Sequence, residues 1–140
     1  MWFLDTGYLI ALFSEKDAFH VQAIELRDKA LANQQLLMPT EAVLFEVGAA
    51  FSKVAHRKLG SELIQALLND PLVNVVSLTP ERRDRAIALF SQRLDKDWSL
   101  CDCLSFCVMR ENGVEEALTP DHHFTQAGFV ALLLNDKNIH

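Results

Sequence analysis

The chain has no apolar run near the ~20 residues that a membrane-spanning helix needs. Its first residues, Met1-Trp2-Phe3-Leu4, are apolar at once, with no basic lead and no small-residue cleavage site, so no signal peptide is expected. Cysteine is scarce. The three residues present are odd in number and crowded at positions 101, 103 and 107. That spacing excludes a secreted disulfide framework and fits a reduced, cytoplasmic thiol protein. Repeats, low-complexity tracts and Ser/Gly linkers are absent, so no domain boundary is drawn within the 140 residues. An excess of positive charge is also missing: the formal net charge is −6. Proteins that hold nucleic acid through its phosphates usually carry a basic surface. This balance therefore argues against nucleic acid, unless several acids converge on divalent cations that neutralise them locally.

Half of the residues are apolar, enough to bury a core in one domain of this length. Trp2-Phe3-Leu4 reads as a short buried strand, followed by a helical stretch over 8–34 that breaks near Lys16-Asp17. Residues 36–38 form a second strand, closed by Pro39. Thr40 then caps a helix whose Val43, Val47, Ala50, Phe51 and Val54 recur at helical spacing. Gly60 is expected to break that helix, with a short one over 62–68 after it. Residues 73–76, Val-Asn-Val-Val, read as a third strand. Thr79-Pro80-Glu81 starts a helix to about Leu94, with Thr as cap and Pro in the first turn. Ser99 starts the next, which Gly113 ends. Residues 117–119 form a fourth strand, 122–127 a short helix and 129–134 a last strand. Short apolar strands alternating with helices predict an α/β fold with a mainly parallel sheet covered on both faces.

In such sheets ligands bind beyond the carboxyl ends of the strands. Asp5 and Asp121 both follow strands there, although either also suits a helix N-cap. Asp102 lies in Leu100-Cys101-Asp102-Cys103-Leu104-Ser105-Phe106, a helix apolar nearly all round, on one side with Phe106 and Met109. A lone carboxylate in such a setting is costly unless paired or bound to a cation. The alternative is a capping box with Ser99 as cap and Asp102 as the third helical residue. Glu46 sits mid-helix at the edge of the apolar stripe, where a solvated side chain is the plain reading. Each acid has an ordinary structural explanation alone. Together they can meet at one end of the sheet, and oxygen-rich carboxylate clusters suit Mg²⁺ or Mn²⁺. Two such ions can activate water and steady the leaving oxygen in phosphodiester cleavage.

Two basic clusters, Lys53/His56/Arg57/Lys58 and Arg82/Arg83/Arg85, read most simply as solvated helix faces. The cysteines make a poor zinc site, because Cys101 points away from the face shared by Cys103 and Cys107 and no C-x-x-C occurs. His122 and His123 beside Asp121 can contact a metal or phosphate, or simply cap and pack.

Several segments, in order, resemble one family. Phe3-Leu4-Asp5-Thr6 looks like the opening of a PIN domain. Glu46-Val47 is similar to its second acidic motif, and the segment from Trp98 to Phe106 to its third. The segment from Leu118 to Phe129, Leu-Thr-Pro-Asp-His-His-Phe-Thr-Gln-Ala-Gly-Phe, resembles its C-terminal motif. The resemblance spans nearly the whole chain. It implies one α/β/α nuclease domain over 1–140, with Asp5, Glu46, Asp102 and Asp121 as catalytic and metal-binding residues for Mg²⁺ or Mn²⁺. Asp5 and Asp102 would be the principal ligands of one ion, and Glu46 and Asp121 would serve a second. The single-domain length resembles VapC-type toxins of bacterial toxin–antitoxin pairs, which are ribonucleases. That implies an RNA substrate, an antitoxin partner and a homodimer. One departure stands out: Cys101 occupies the position before Asp102 where the family has a hydroxyl, and a thiol is a weaker donor.

Other readings fit less well. A phosphoacceptor signalling domain needs paired acids after its first strand, and a haloacid-dehalogenase phosphatase needs Asp-x-Asp. Only Asp5 is present there. The remaining rival is a degenerate PIN-like domain that binds a protein or RNA without cutting.

Overall fold

A computed structural model describes residues 1–135. The chain runs β1 (Trp2–Leu4), α1 (Thr6–Phe13), α2 (His20–Ala32), β2 (Leu37–Met38), α3 (Glu41–Ala50), α4 (Val54–Asn69), α5 (Pro80–Gln92), α6 (Leu100–Glu111), β3 (Glu116–Leu118), α7 (His122–Gln126), β4 (Val130–Ala131) and α8 (Leu132–Asn135). The four strands form one all-parallel sheet in the order β2-β1-β3-β4, and helices flank it. No described helix is long and apolar enough to cross a membrane.

The helix starts obey local rules. The Thr40 hydroxyl accepts from Val43 N, Thr79 from Arg82 N and Ser99 from Asp102 N, so each satisfies one of the amides left over at a helix start. Gly113, at φ +66°, follows α6, a conformation that costs glycine little. The core gathers on Phe106 of α6, whose ring meets those of Trp98 and Phe124 edge-on at 5.0 Å. Phe3, Phe106 and Phe124 are fully buried.

Three expectations need correction. Gly60 does not break a helix, because α4 runs through it. A side chain there would put Cβ 2.7 Å from Phe51 Cβ, so glycine serves the close approach of α4 to the end of α3. The break falls earlier, at Phe51–Lys53, between the two helices. Residues 73–76 do not make a strand either. They touch β2 through two isolated parallel bridges, Leu37↔Val73 and Thr40↔Val76. Leu37 N donates to Leu72 O and Glu41 N to Val76 O, so the rung between them belongs to the nitrogen of Pro39, which has no hydrogen. Finally, the strand expected over 129–134 is only Val130–Ala131. β3 pairs through Glu116↔Val130 and Ala117↔Ala131, and the leucines that follow coil into α8.

Candidate active site

Register places the first acid. β1 and β3 are parallel neighbours with Leu4 opposite Leu118, so Asp5 and Thr119 leave the sheet side by side. Asp5 N donates to Leu118 O at 3.2 Å, and the buried Thr119 hydroxyl donates to Asp5 Oδ2 at 2.7 Å. The same hydroxyl accepts from Asp121 N at 3.1 Å, which ties the residue after β1 to the segment after β3. Gly7 keeps the start of α1 close: a Cβ there would lie 3.0 Å from Pro120 Cδ.

Helices deliver the other two acids. Glu46, on α3, accepts at Oε1 from the Thr6 hydroxyl at 3.1 Å. Asp102 stands in the first turn of α6 and makes the capping box with Ser99: Ser99 N donates to Asp102 Oδ2 at 3.1 Å while Asp102 N donates to Ser99 Oγ at 3.0 Å. The cap and the site are therefore not alternatives, because one carboxylate serves both. Asp5, Glu46, Asp102 and Asp121 all line one open cleft of about 390 Å³, with Ile10 and Ala50 in its wall.

His123 joins two of these acids. Its Nδ1 lies 3.1 Å from Asp102 Oδ2 and 3.3 Å from Asp121 Oδ1, and its backbone N–H donates to Asp121 Oδ1 at 2.9 Å. His122 Nδ1 is 3.8 Å from the same Asp121 oxygen. Asp121, His122 and His123 offer ligand atoms within 4.8 Å of one another, so a nitrogen-bearing donor set adjoins the carboxylates. The sequence does not single out Thr6 or Thr119, and for His123, offered as a metal, phosphate or packing contact beside Asp121, it does not show the link to Asp102. Thr119, a fully buried hydroxyl at a strand end, and Thr6, next to Asp5, carry a weak signal in their types.

Burial, and after it like charge, raises the proton affinity of the site. Burial pushes the Asp5 carboxyl up to about 7. The Glu46 and Asp102 charges add to the effect, and the hydrogen bonds from Thr119 and the Thr6 backbone oppose it. Glu46 is also raised, by burial first and by Asp102 next, against hydrogen bonds from Thr6 and from the Cys101 thiol. Burial raises the Cys101 thiol, helped by the charges of Glu46, Asp102 and Asp5. A centre of converging acids, one of which ionises reluctantly, fits a hard divalent cation: the oxygens suit it, and its charge would relieve the crowding.

A solved structure similar to this chain has the same architecture. The chain is 28% identical over 131 residues to the 23S rRNA-specific endonuclease VapC20 of two Mycobacterium tuberculosis strains, CDC 1551 and H37Rv. The alignment covers 93% of this chain and 96% of the relative. The crystal structure of Mycobacterium tuberculosis VapC20, described as a toxin that cleaves the sarcin-ricin loop, superposes with a TM-score of 0.80. It is 25% identical, with 93% of this chain and 97% of that one covered. The PIN domain pattern matches residues 2–130, and with that match over nearly the whole chain, the protein belongs to the PIN domain family.

Proposed function

We propose that the protein is a Mg²⁺- or Mn²⁺-dependent endoribonuclease, the toxin of a VapC-type toxin–antitoxin pair. The observation that carries the reading is the convergence of Asp5, Glu46, Asp102 and Asp121 from β1, α3, α6 and the segment after β3 on one cleft. Asp5 and Asp102 would hold the first cation, and Glu46 and Asp121 would serve a second. When bound, such ions activate water for in-line attack on phosphorus and stabilise charge on the leaving oxygen.

The chain's own residues position the acids. Thr119 fixes Asp5 through one oxygen, and Thr6 fixes Glu46. Asp102 uses Oδ2 for both Ser99 and His123, and among the described residues Oδ1 makes no hydrogen bond, so it is free to ligate. His123 keeps Asp102 and Asp121 at a set spacing through one nitrogen. Such outer partners orient ligands and tune their affinity.

The matched relatives are named for cleaving 23S ribosomal RNA, so ribosomal RNA is the first substrate to test. The same resemblance supports an antitoxin partner, a homodimer and a cytoplasmic setting. In the direct experiment, purified protein cuts ribosomal RNA with Mn²⁺ and not with chelator. Expression alone slows bacterial growth, and Asp5→Asn relieves the slowing. Equal slowing by wild type and variant would point to binding or protein burden and would remove the toxin reading.

Cys101 stands beside Glu46, Asp102 and Asp5, whose charges help burial raise its thiol, and a hydroxyl, the stronger donor, would serve these carboxylates at least as well. The residue also borders an apolar hollow lined by Ala42, Leu78, Ala86, Leu100 and Leu104, which can take a methyl group. Cys101→Thr is therefore expected to fold and to leave kcat unchanged or higher. A stable variant with clearly lower kcat would mean that the thiol suits the site better than a hydroxyl.

A further inference from the structure

The two basic clusters are not alike. In the second, Arg82 Nη2 lies 2.8 Å from Glu111 Oε2, Arg85 Nη1 lies 2.7 Å from Glu111 Oε1, and Arg83 pairs with Asp84 at 3.0 Å. Its charge is met at home. The first cluster occupies the start of α4, in a stretch from Val47 to Ser61 that contains no acid. Among the described residues, no carboxylate pairs with Lys53, His56 or Arg57. Lys58 has only Glu62, at 4.0 Å, with both side chains well exposed. Arg57 gives one N–H to Ser52 O at 2.9 Å and is otherwise free to face solvent.

Of this cluster, His56 lies one hollow from the acid cleft and Arg57 two, and Lys53 and Lys58 neighbour them in sequence at the start of α4. A second hollow, of about 230 Å³, shares Ile10 and Ala50 with it and is also lined by Phe13, Phe51 and His56. Phe51 in turn borders a third hollow that Arg57 lines. The surface thus passes from carboxylates, over an apolar step, to Phe13, which is 44% exposed, and on to His56 and Arg57. A phosphodiester chain needs both: stacking faces for bases and cations for phosphates.

Building on the ribonuclease reading, we propose that the α1–α3–α4 surface seats the single-stranded RNA flanking the scissile bond, with a base on Phe13 and phosphates on Lys53, Arg57 and Lys58. An overall negative protein can hold a polyanion here because the stretch from Val47 to Ser61 carries Lys53, Arg57 and Lys58 and no acid, so the surface at the start of α4 is locally positive.

The test uses the full chain in chelator, which prevents cutting, and the anisotropy of a short, fluorescently labelled single-stranded RNA across a salt series. Lys53→Gln/Arg57→Gln/Lys58→Gln is expected to bind at least about tenfold more weakly at low salt. Its salt slope should be shallower by about 2, since each phosphate contact on a single strand contributes roughly 0.7. Lys53→Gln/Lys58→Gln retains the Arg57–Ser52 contact and should lose about 1.4 of the slope. Phe13→Ala should weaken binding roughly tenfold with the slope unchanged. Arg83→Gln, in the self-neutralised cluster, should change neither. With Mn²⁺ present, the charge variants should raise KM and hold kcat. Folded charge variants with wild-type affinity and slope overturn the proposal, as does a slope lost in Arg83→Gln instead. Wild type that neither binds RNA in chelator nor cuts it with Mn²⁺ sinks the ribonuclease reading itself, and this track with it.

Discussion

Asp102→Asn is expected to lower Mn²⁺-dependent RNA cleavage by at least about a thousandfold and to leave the fold intact. Asn is nearly isosteric, and its oxygen can still accept from Ser99 N, so the capping box at the start of α6 loses strength without disappearing. What is lost is the charge. A neutral amide binds a divalent cation weakly, and the group facing His123 Nδ1 at 3.1 Å is no longer an anion. Weakening the cap should destabilise by about 0.5–1 kcal/mol, too little to unfold a domain of this size. The measurement is single-turnover cleavage of ribosomal RNA by folded variant and wild type, each saturated with Mn²⁺. A folded variant that cuts at the wild-type rate would falsify the assignment of Asp102.

The acids could be found in the sequence because each stands where an element begins or ends, or on the margin of an apolar face. Asp5 and Asp121 follow apolar strands, and Asp102 opens a helix that is otherwise core. What the sequence does not express is pairing across distance. Thr119 reaches Asp5 over 114 positions, and Thr6 reaches Glu46 over 40. Nothing in the local composition around either threonine encodes these partners. They follow from the parallel register of β1 and β3 and from the placing of α3 beside α1. His123 was considered beside Asp121, its neighbour in sequence. Its contact with Asp102, 21 positions away, needed the packing of α7 against α6.

The same limit explains the fold errors. Caps at Thr40, Thr79 and Ser99 were legible because a cap is a contact three residues long. Gly60 looks like a breaker in the sequence because glycine in a helix costs about 1 kcal/mol, and the compensation, the close approach of Phe51, comes from the end of α3. The Pro39 effect is the reverse case. Pro39 ends β2, as its position in the sequence implies, yet the same missing N–H also interrupts pairing with residues 73–76 one strand-width away. The run Leu132-Leu133-Leu134 is apolar enough for either strand or helix, and its lack of β-branching leaves the decision to where β3 ends.

Metal-free protein is expected to lose stability as pH rises from about 5 to 8, the opposite of an acid-labile, salt-bridged protein. The cause is Asp5, whose carboxyl stands near 7 in the folded chain against an ordinary value of 3.8. Between those values the native state holds a proton that the unfolded chain has released. Stability therefore falls as pH rises through this window, and the whole deficit is present above the folded value. Glu46 is shifted the same way and adds to it. The deficit at pH 8 is on the order of 2–4 kcal/mol, or roughly 7–14 °C in Tm. Asp5→Asn removes the titrating group, and the Thr119 hydroxyl can still donate to the amide oxygen. In chelator it should flatten the profile and melt above wild type at pH 8. Mn²⁺ should raise wild-type Tm most at high pH, where the acids are ionised, with a stabilisation of ~1.4 kcal/mol at about nine times its dissociation constant. It should raise the variant less. Asp121→Asn behaves differently, since its Oδ1 caps α7 through His123 N and faces the His123 ring. Its expected result is a modest loss of about 0.5–2 kcal/mol in chelator. Melts of the three proteins at pH 5.5 and 8, with chelator and with Mn²⁺, decide the matter. A wild type more stable at pH 8 than at 5.5 in chelator, with Asp5→Asn melting below it and no response to Mn²⁺, would mean that Asp5 is a paired structural acid rather than part of a cation site.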